Sequence, residues 1–183
     1  MKKLVFALVL GTSFLLCGEE VKMENLDFSA GLKNWVNPKV LNTPAEKLGF
    51  KVEKIEGKNA LVIVGPAKDA KLGYKQITRH IPKTQKEILS NWVTLSAEIK
   101  VEKLSGSFKL MVREARRKGT IRYRQTIISK MEETGKWQKY SCRFAVGKPT
   151  EFIQIYLQSC YLAPGDKLYL RNLKLDITPM VKR

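Results

Sequence analysis

The chain has 183 residues, 34 of them Lys or Arg and 17 Asp or Glu, for a formal net charge of +17. This length suits one domain with a substantial core, and no Ser/Gly/Pro-rich linker, low-complexity tract or internal repeat argues for two. The charge predicts affinity for polyanions and excludes cationic surfaces as partners, without specifying a fold.

Residues 1–18 have the pattern of an export signal. Lys2 and Lys3 supply the charged start, and Leu4 to Leu16 form an apolar stretch too short to span a membrane comfortably. Cleavage after Gly18 is expected to leave residues 19–183 as one mature domain, secreted or periplasmic, with its net charge lowered from +17 to +15 by the loss of two lysines. The same segment has a second reading, a lipoprotein signal acylated at Cys17. Leu16 opposes it, standing where such signals have Gly, Ala or Ser, and membrane attachment is expected only if Cys17 is lipidated. Nucleic acid would fit the charge, but an exported protein meets anionic polysaccharide, lipopolysaccharide or acidic cell-wall polymer instead, so no nucleic-acid partner is expected.

Beyond the leader the chain predicts strands nearly throughout and no amphipathic helix. Phe50 to Ile55 and Ala60 to Val64 flank the turn-forming group Glu56-Gly57-Lys58-Asn59 and predict a hairpin. Tyr74 to Ile81 is a strand ended by Pro82, and Lys83 to Ser90 is expected to be a loop carrying at most one helical turn. Trp92 to Val101 alternates, with Val93, Leu95, Ala97, Ile99 and Val101 on the face expected to be buried.

Three further strands each pair an apolar row with a polar or basic one. In Phe108 to Arg113 the core row is Phe108, Leu110 and Val112, leaving Lys109, Met111 and Arg113 outward. Arg122 to Ile128 sets Arg122, Arg124 and Thr126 against Tyr123, Gln125 and Ile127. Phe152 to Gln158 is expected to bury Ile153, Ile155 and Leu157 and to expose Gln154, Tyr156 and Gln158. Should these strands share a sheet, their outward rows form one polar surface.

Two cysteines follow the leader, Cys142 and Cys160, in a compartment that permits disulfides. A bridge would contribute roughly 3 kcal/mol in the chain-entropy model. Alternation places Cys142 inward with Tyr140 and Phe144, and Cys160 outward with Gln154, Tyr156 and Gln158, so two buried free thiols are an equal expectation.

Four segments in order resemble the galactose-binding-like jelly rolls that include many secreted carbohydrate-binding modules. They are NLDFSAGLKNW (Asn25 to Trp35), WVTLSAEIKVE (Trp92 to Glu102), TGKWQKYSCRFAV (Thr134 to Val146) and LYLRNLKL (Leu168 to Leu175). The resemblance implies an all-β fold, a two-sheet antiparallel sandwich of the jelly-roll type, with ligand across one sheet or at a rim. It further implies a core role for Trp35 and Trp137, and leaves Trp92 open between a structural and a sugar-binding role. Members often hold a structural calcium through a Glu after the opening Phe and paired Asp in the closing strand. Here Ser29 follows Phe28, and Arg171 with Asn172 replaces the pair. A calcium would have to rely on Glu24, Asp27, Asp176 and carbonyls, and no metal or other cofactor is expected.

Sugar binding would fall to aromatic rings and to amides and guanidiniums that meet hydroxyls. The candidates are Gln154, Tyr156 and Gln158 on one strand, and Arg122 with Arg124, or Tyr123 with Gln125, on another, the choice resting on register. Arg113 is the expected anionic contact, since a guanidinium meets a carboxylate or sulfate with two parallel hydrogen bonds. Arg116, Arg117 and Lys118 could extend it.

A lyase would cast Arg113, Tyr123, Tyr156 or the sole histidine, His80, in proton-moving parts. A glycosidase needs two facing carboxylates, and Glu98, Glu102, Glu114 and Glu151 suggest no pair. The expected function is therefore non-catalytic binding of an acidic polysaccharide, uronate-containing or sulfated. The alternatives are an extracytoplasmic protein-interaction scaffold and a small polysaccharide lyase.

Overall fold

The computed structural model describes residues 19–20, 25–36, 49–66, 74–81, 91–116, 121–126, 131–146 and 150–180. The leader, Pro82 and the Lys83 to Ser90 segment lie outside them. Eleven strands are described: β1 (Glu19–Glu20), β2 (Trp35–Val36), β3 (Phe50–Ile55), β4 (Lys58–Val64), β5 (Tyr74–Ile81), β6 (Asn91–Lys103), β7 (Ser107–Arg116), β8 (Ile121–Thr126), β9 (Gln138–Ala145), β10 (Thr150–Cys160) and β11 (Lys167–Pro179). They form two antiparallel sheets. One runs β3-β4-β11-β6-β9 with β1 also paired to β11, and the other runs β2-β5-β10-β7-β8.

Period-two patterning explains why the sheets stack. Val93, Leu95, Ala97, Ile99 and Val101 of β6 face Phe108, Leu110 and Val112 of β7 and Ile153, Ile155 and Leu157 of β10 within one continuous core. Burying each such side chain stabilises the fold by roughly 1.5–3 kcal/mol, so the sandwich follows from the alternation anticipated above. Trp35 is buried as expected, its ring centroid 5.5 Å from that of Phe28.

The β3-β4 hairpin is tighter than the four-residue turn expected. Glu56 and Gly57 both have positive φ, 52° and 76°, and Ile55 pairs Lys58. Two left-handed residues between paired strands match the right-handed twist of the strands they join.

β11 holds one irregularity that matters below. Its inward residues are Leu168 and Leu170, then Leu173, Leu175 and Ile177, so the phase shifts by one at Arg171-Asn172. The ladder to β6 shifts register between Arg171, opposite Glu98, and Lys174, opposite Ser96. This is a β-bulge, and its Asn172 adopts φ 51°, a conformation Asn tolerates better than most side chains.

Cys142 and Cys160 are not joined. Cys142 packs against the core from β9, while Cys160 accepts a hydrogen bond from Gln158 Nε2 at 3.1 Å on the outer side of β10.

Candidate functional site

The outer face of the β2-β5-β10-β7-β8 sheet collects the polar row expected of it. Register sets Gln154 opposite Arg113, Tyr156 opposite Met111, and Gln158 opposite Lys109. Within this row Arg113 Nη1 donates to the Tyr156 hydroxyl at 2.7 Å, and that hydroxyl donates to Gln154 Oε1 at 2.8 Å. A guanidinium, a phenol and an amide therefore form one directed chain across two strands.

The Tyr156 ring departs from expectation. It is 5% exposed, and only its hydroxyl takes part in the polar row. β10 is the middle strand of its sheet, where neighbours on both sides cover an outward ring, so a correct phase does not give an accessible face. Tyr156 cannot serve as an open stacking platform.

On β8 the register choice is decided by a shift between Met111 and Val112. Tyr123 pairs with Arg113, whereas Arg122 and Arg124 pair with Glu114 and Val112, two residues with buried side chains. Tyr123 is thus the β8 position in line with the polar row. Gln125 falls at the shift, between Arg124 and Thr126. On the other side, His80, Thr78 and Gln76 of β5 pair with Gln154, Tyr156 and Gln158. Arg116 ends β7, and Arg117 and Lys118 lie outside the described residues.

A second constellation, missed at the sequence level, occupies the outer face of the other sheet. Arg171 is 9% exposed; its Nε donates to Glu98 Oε2 at 2.8 Å and its Nη1 to Glu56 Oε2 at 2.9 Å. The guanidinium carbon lies 3.8 Å from the Trp137 ring centroid, and Trp137 Nε1 donates to both oxygens of Glu56. Trp137 is therefore no core residue. The inward phase of β9 passes through Tyr140, Cys142 and Phe144, which puts position 137 on the outer side. Trp92 is also outward, 37% exposed, with Arg143 4.9 Å from its ring centroid.

Charge follows this geometry. Hydrogen bonding to Arg171, then to Asn172, holds the Glu98 carboxyl below its ordinary value. Arg171 and then the Trp137 N–H do the same for Glu56. Desolvation works against the charged form of Arg171, but the bonds to Glu98 and Glu56 outweigh it and raise its pKa.

Beside this cluster the bulge opens a depression of 490 Å³. Lys58 of β4, Lys139 of β9 and Lys174 of β11 rim it, and Ser96, Asn172 and Asp176 also line it.

Of the calcium ligands considered above, Glu24 lies outside the described residues. Asp27 Oδ1 accepts from both the Ser29 N–H and its hydroxyl, and Arg171 already occupies the neighbouring carboxylates. Among the described residues no three His, Cys, Asp or Glu side chains converge as ligands.

No family model matches the sequence, and no curated protein matches it either. Similarity to solved structures is extensive. A family 16 carbohydrate-binding module superposes with a TM-score of 0.56 at 13% identity, covering 81% of this chain and 94% of that one. The tandem CBM22-1-CBM22-2 domain from Paenibacillus barcinonensis Xyn10C gives a TM-score of 0.59 at 16% identity over 93% of this chain and 48% of that one. TmCBM61, solved with β-1,4-galactotriose, gives 0.52 at 14% identity over 84% and 95%. At these identities the likeness is one of fold, and the fold is the jelly-roll sandwich of carbohydrate-binding modules.

Proposed function

We propose that the chain is an exported, non-catalytic carbohydrate-binding domain that holds an acidic polysaccharide on the outer face of the β2-β5-β10-β7-β8 sheet. The observation that carries this reading is the Arg113-Tyr156-Gln154 chain of hydrogen bonds, set in a fold shared with carbohydrate-binding modules.

The parts are assigned by chemistry. A guanidinium presents its N–H donors in a fixed plane and meets a carboxylate or sulfate in a bidentate way. Tyr156 acts as a positioning residue, holding Arg113 through its hydroxyl rather than stacking on sugar. Gln154 and Gln158 offer amides to sugar hydroxyls, and Tyr123, level with Arg113, supplies the ring at the strand edge. Arg122, Arg124 and Gln125 are given no contact in this arrangement. The galactotriose of TmCBM61 is uncharged; the net charge of +17 and the placement of Arg113 favour an acidic chain here.

Affinity electrophoresis in gels containing neutral, uronate-rich or sulfated polysaccharide tests the reading. Retardation is expected in the acidic gels, weakening with salt as exposed charges are screened, and Arg113→Ala should weaken it strongly. Tyr156→Phe keeps the ring and removes only the hydroxyl, so it should weaken retardation without changing the melting temperature of the fold by more than a few degrees. Retardation that ignores salt and both substitutions would refute the assignment.

A further inference from the structure

We infer that the lysine-rimmed depression on the β3-β4-β11-β6-β9 sheet is a second saccharide site, taking one acidic sugar unit. The inference rests on the glycan-binding reading above but concerns the opposite face of the sandwich.

Three strands deliver the cations. Lys58 opens β4 immediately after the hairpin turn, Lys139 lies on β9 opposite Glu98, and Lys174 follows the bulge on β11 opposite Ser96. The bulge is what makes the depression. An extra residue bends its strand and interrupts the ladder, so the surface sinks between Arg171 and Lys174 instead of continuing flat. At 490 Å³ the hollow falls within the size range of small-molecule sites.

The charge balance defines the ligand. Lys58, Lys139, Lys174 and Arg171 give four positive charges; Glu56, Glu98 and Asp176 give three negative ones. The net charge of +1 matches a single carboxylate or a single sulfate ester. Glu98 also lines the depression, but its carboxylate is paired with the Arg171 guanidinium, which offsets its repulsion of an incoming anion. The Ser96 hydroxyl, the Asn172 amide and the Asp176 carboxylate are groups suited to the hydroxyls of a pyranose. An anion without hydroxyls would leave them unused. Two sites on opposite sheets cannot serve the same stretch of glycan, so a domain with both would tie two chains together, gaining avidity without new contacts.

The test uses the full chain and trigalacturonate as probe, followed by calorimetry and amide-shift mapping. Three variants are compared: Arg113→Ala; Lys58→Gln/Lys139→Gln/Lys174→Gln; and Lys33→Gln/Lys54→Gln/Lys103→Gln, which removes the same charge from exposed positions elsewhere. The proposal expects the wild-type chain to bind two probes per molecule, with shifts at Ser96, Lys139 and Lys174. Arg113→Ala should retain those shifts and one site, the first triple variant should lose them, and the matched triple should keep both sites. Sodium sulfate should bind the depression about tenfold more weakly, as expected for the loss of about 1.4 kcal/mol of hydroxyl contacts. Equal affinity for sulfate would overturn the sugar assignment. Binding that vanishes in Arg113→Ala and is unchanged in the first triple variant would overturn the second site while leaving the proposed function standing. No trigalacturonate binding by the wild-type chain would remove both.

Discussion

Arg171→Met should cost about 2 kcal/mol of stability, and the structure shows where that figure comes from. The substitution keeps an unbranched stem of similar length, so packing along the strand is largely retained. It removes the charge-assisted bond to Glu98 at 2.8 Å; such bonds contribute roughly 1.5–3 kcal/mol, and the lower end applies because the Glu98 side chain is 30% exposed. It also removes the cation from the Trp137 ring at 3.8 Å, worth roughly 0.5–1 kcal/mol near a surface. The exposed Glu56 contact is left out of the figure. For a domain of this size the loss corresponds to a fall in Tm of about 4–8 °C. Thermal melts of Arg171→Met, Glu98→Gln and the double variant check it, with a coupling near 1 kcal/mol expected between the two positions. Acid should erase the Glu98 part of the effect. Glu98 has a folded-state pKa below its ordinary 4.5, so the pair stabilises fully above that value and loses its contribution as pH falls through the lower folded one. Strictly additive costs, or an Arg171→Met penalty unchanged at about pH 3, would refute the reasoning.

Gly65→Ala should destabilise by about 2–3 kcal/mol or more, because an added Cβ would lie 1.9 Å from the Ala163 carbonyl oxygen, a backbone atom that cannot swing away; denaturant melts measure it. Asp166 accepts bonds from the Ser105 N–H and hydroxyl and from the Ala163 N–H. Burial raises its pKa, but those bonds outweigh it and the net shift is downward. Its stabilisation should therefore be present above pH ~4 and fade below it, and Asp166→Asn should melt lower at neutral pH with a smaller difference in acid. Burial raises the Cys142 thiol pKa, so site-resolved alkylation near neutral pH should modify Cys142 more slowly than an exposed thiol. With no bridge between Cys142 and Cys160, reductant should leave Tm unchanged.

The strands of this fold are plain in the alternation of residues such as Val93 to Val101, since burial on one face of a pleated strand imposes that period. Faces were legible for the same reason: Arg113, Gln154 and Gln158 share the outer row that their phase assigns. Depth was not. Tyr156 has the outward phase, yet its ring is covered because β10 lies mid-sheet, and strand order is a long-range property. The choice between Tyr123 and Arg122 depended on a one-residue shift beside Met111 that nothing local announces. Trp137 shows a signal present but overridden. Counting back from Phe144 through Cys142 and Tyr140 places position 137 outward, against the core role its motif implies. The Arg171 cluster joins residues 115 positions apart, and its only trace in sequence is the skipped beat between Leu170 and Leu173.

That skipped beat is not something the hydrophobic interior asks for. Without Asn172, Leu168, Leu170, Leu173, Leu175 and Ile177 would stand at every second position and all still point inward, and the ladder to β6 would run unbroken from Arg171 to Lys174. What a shortened strand would lose is the local kink that a surplus residue imposes. The extra residue therefore shapes the outside of the sandwich and leaves its inside untouched.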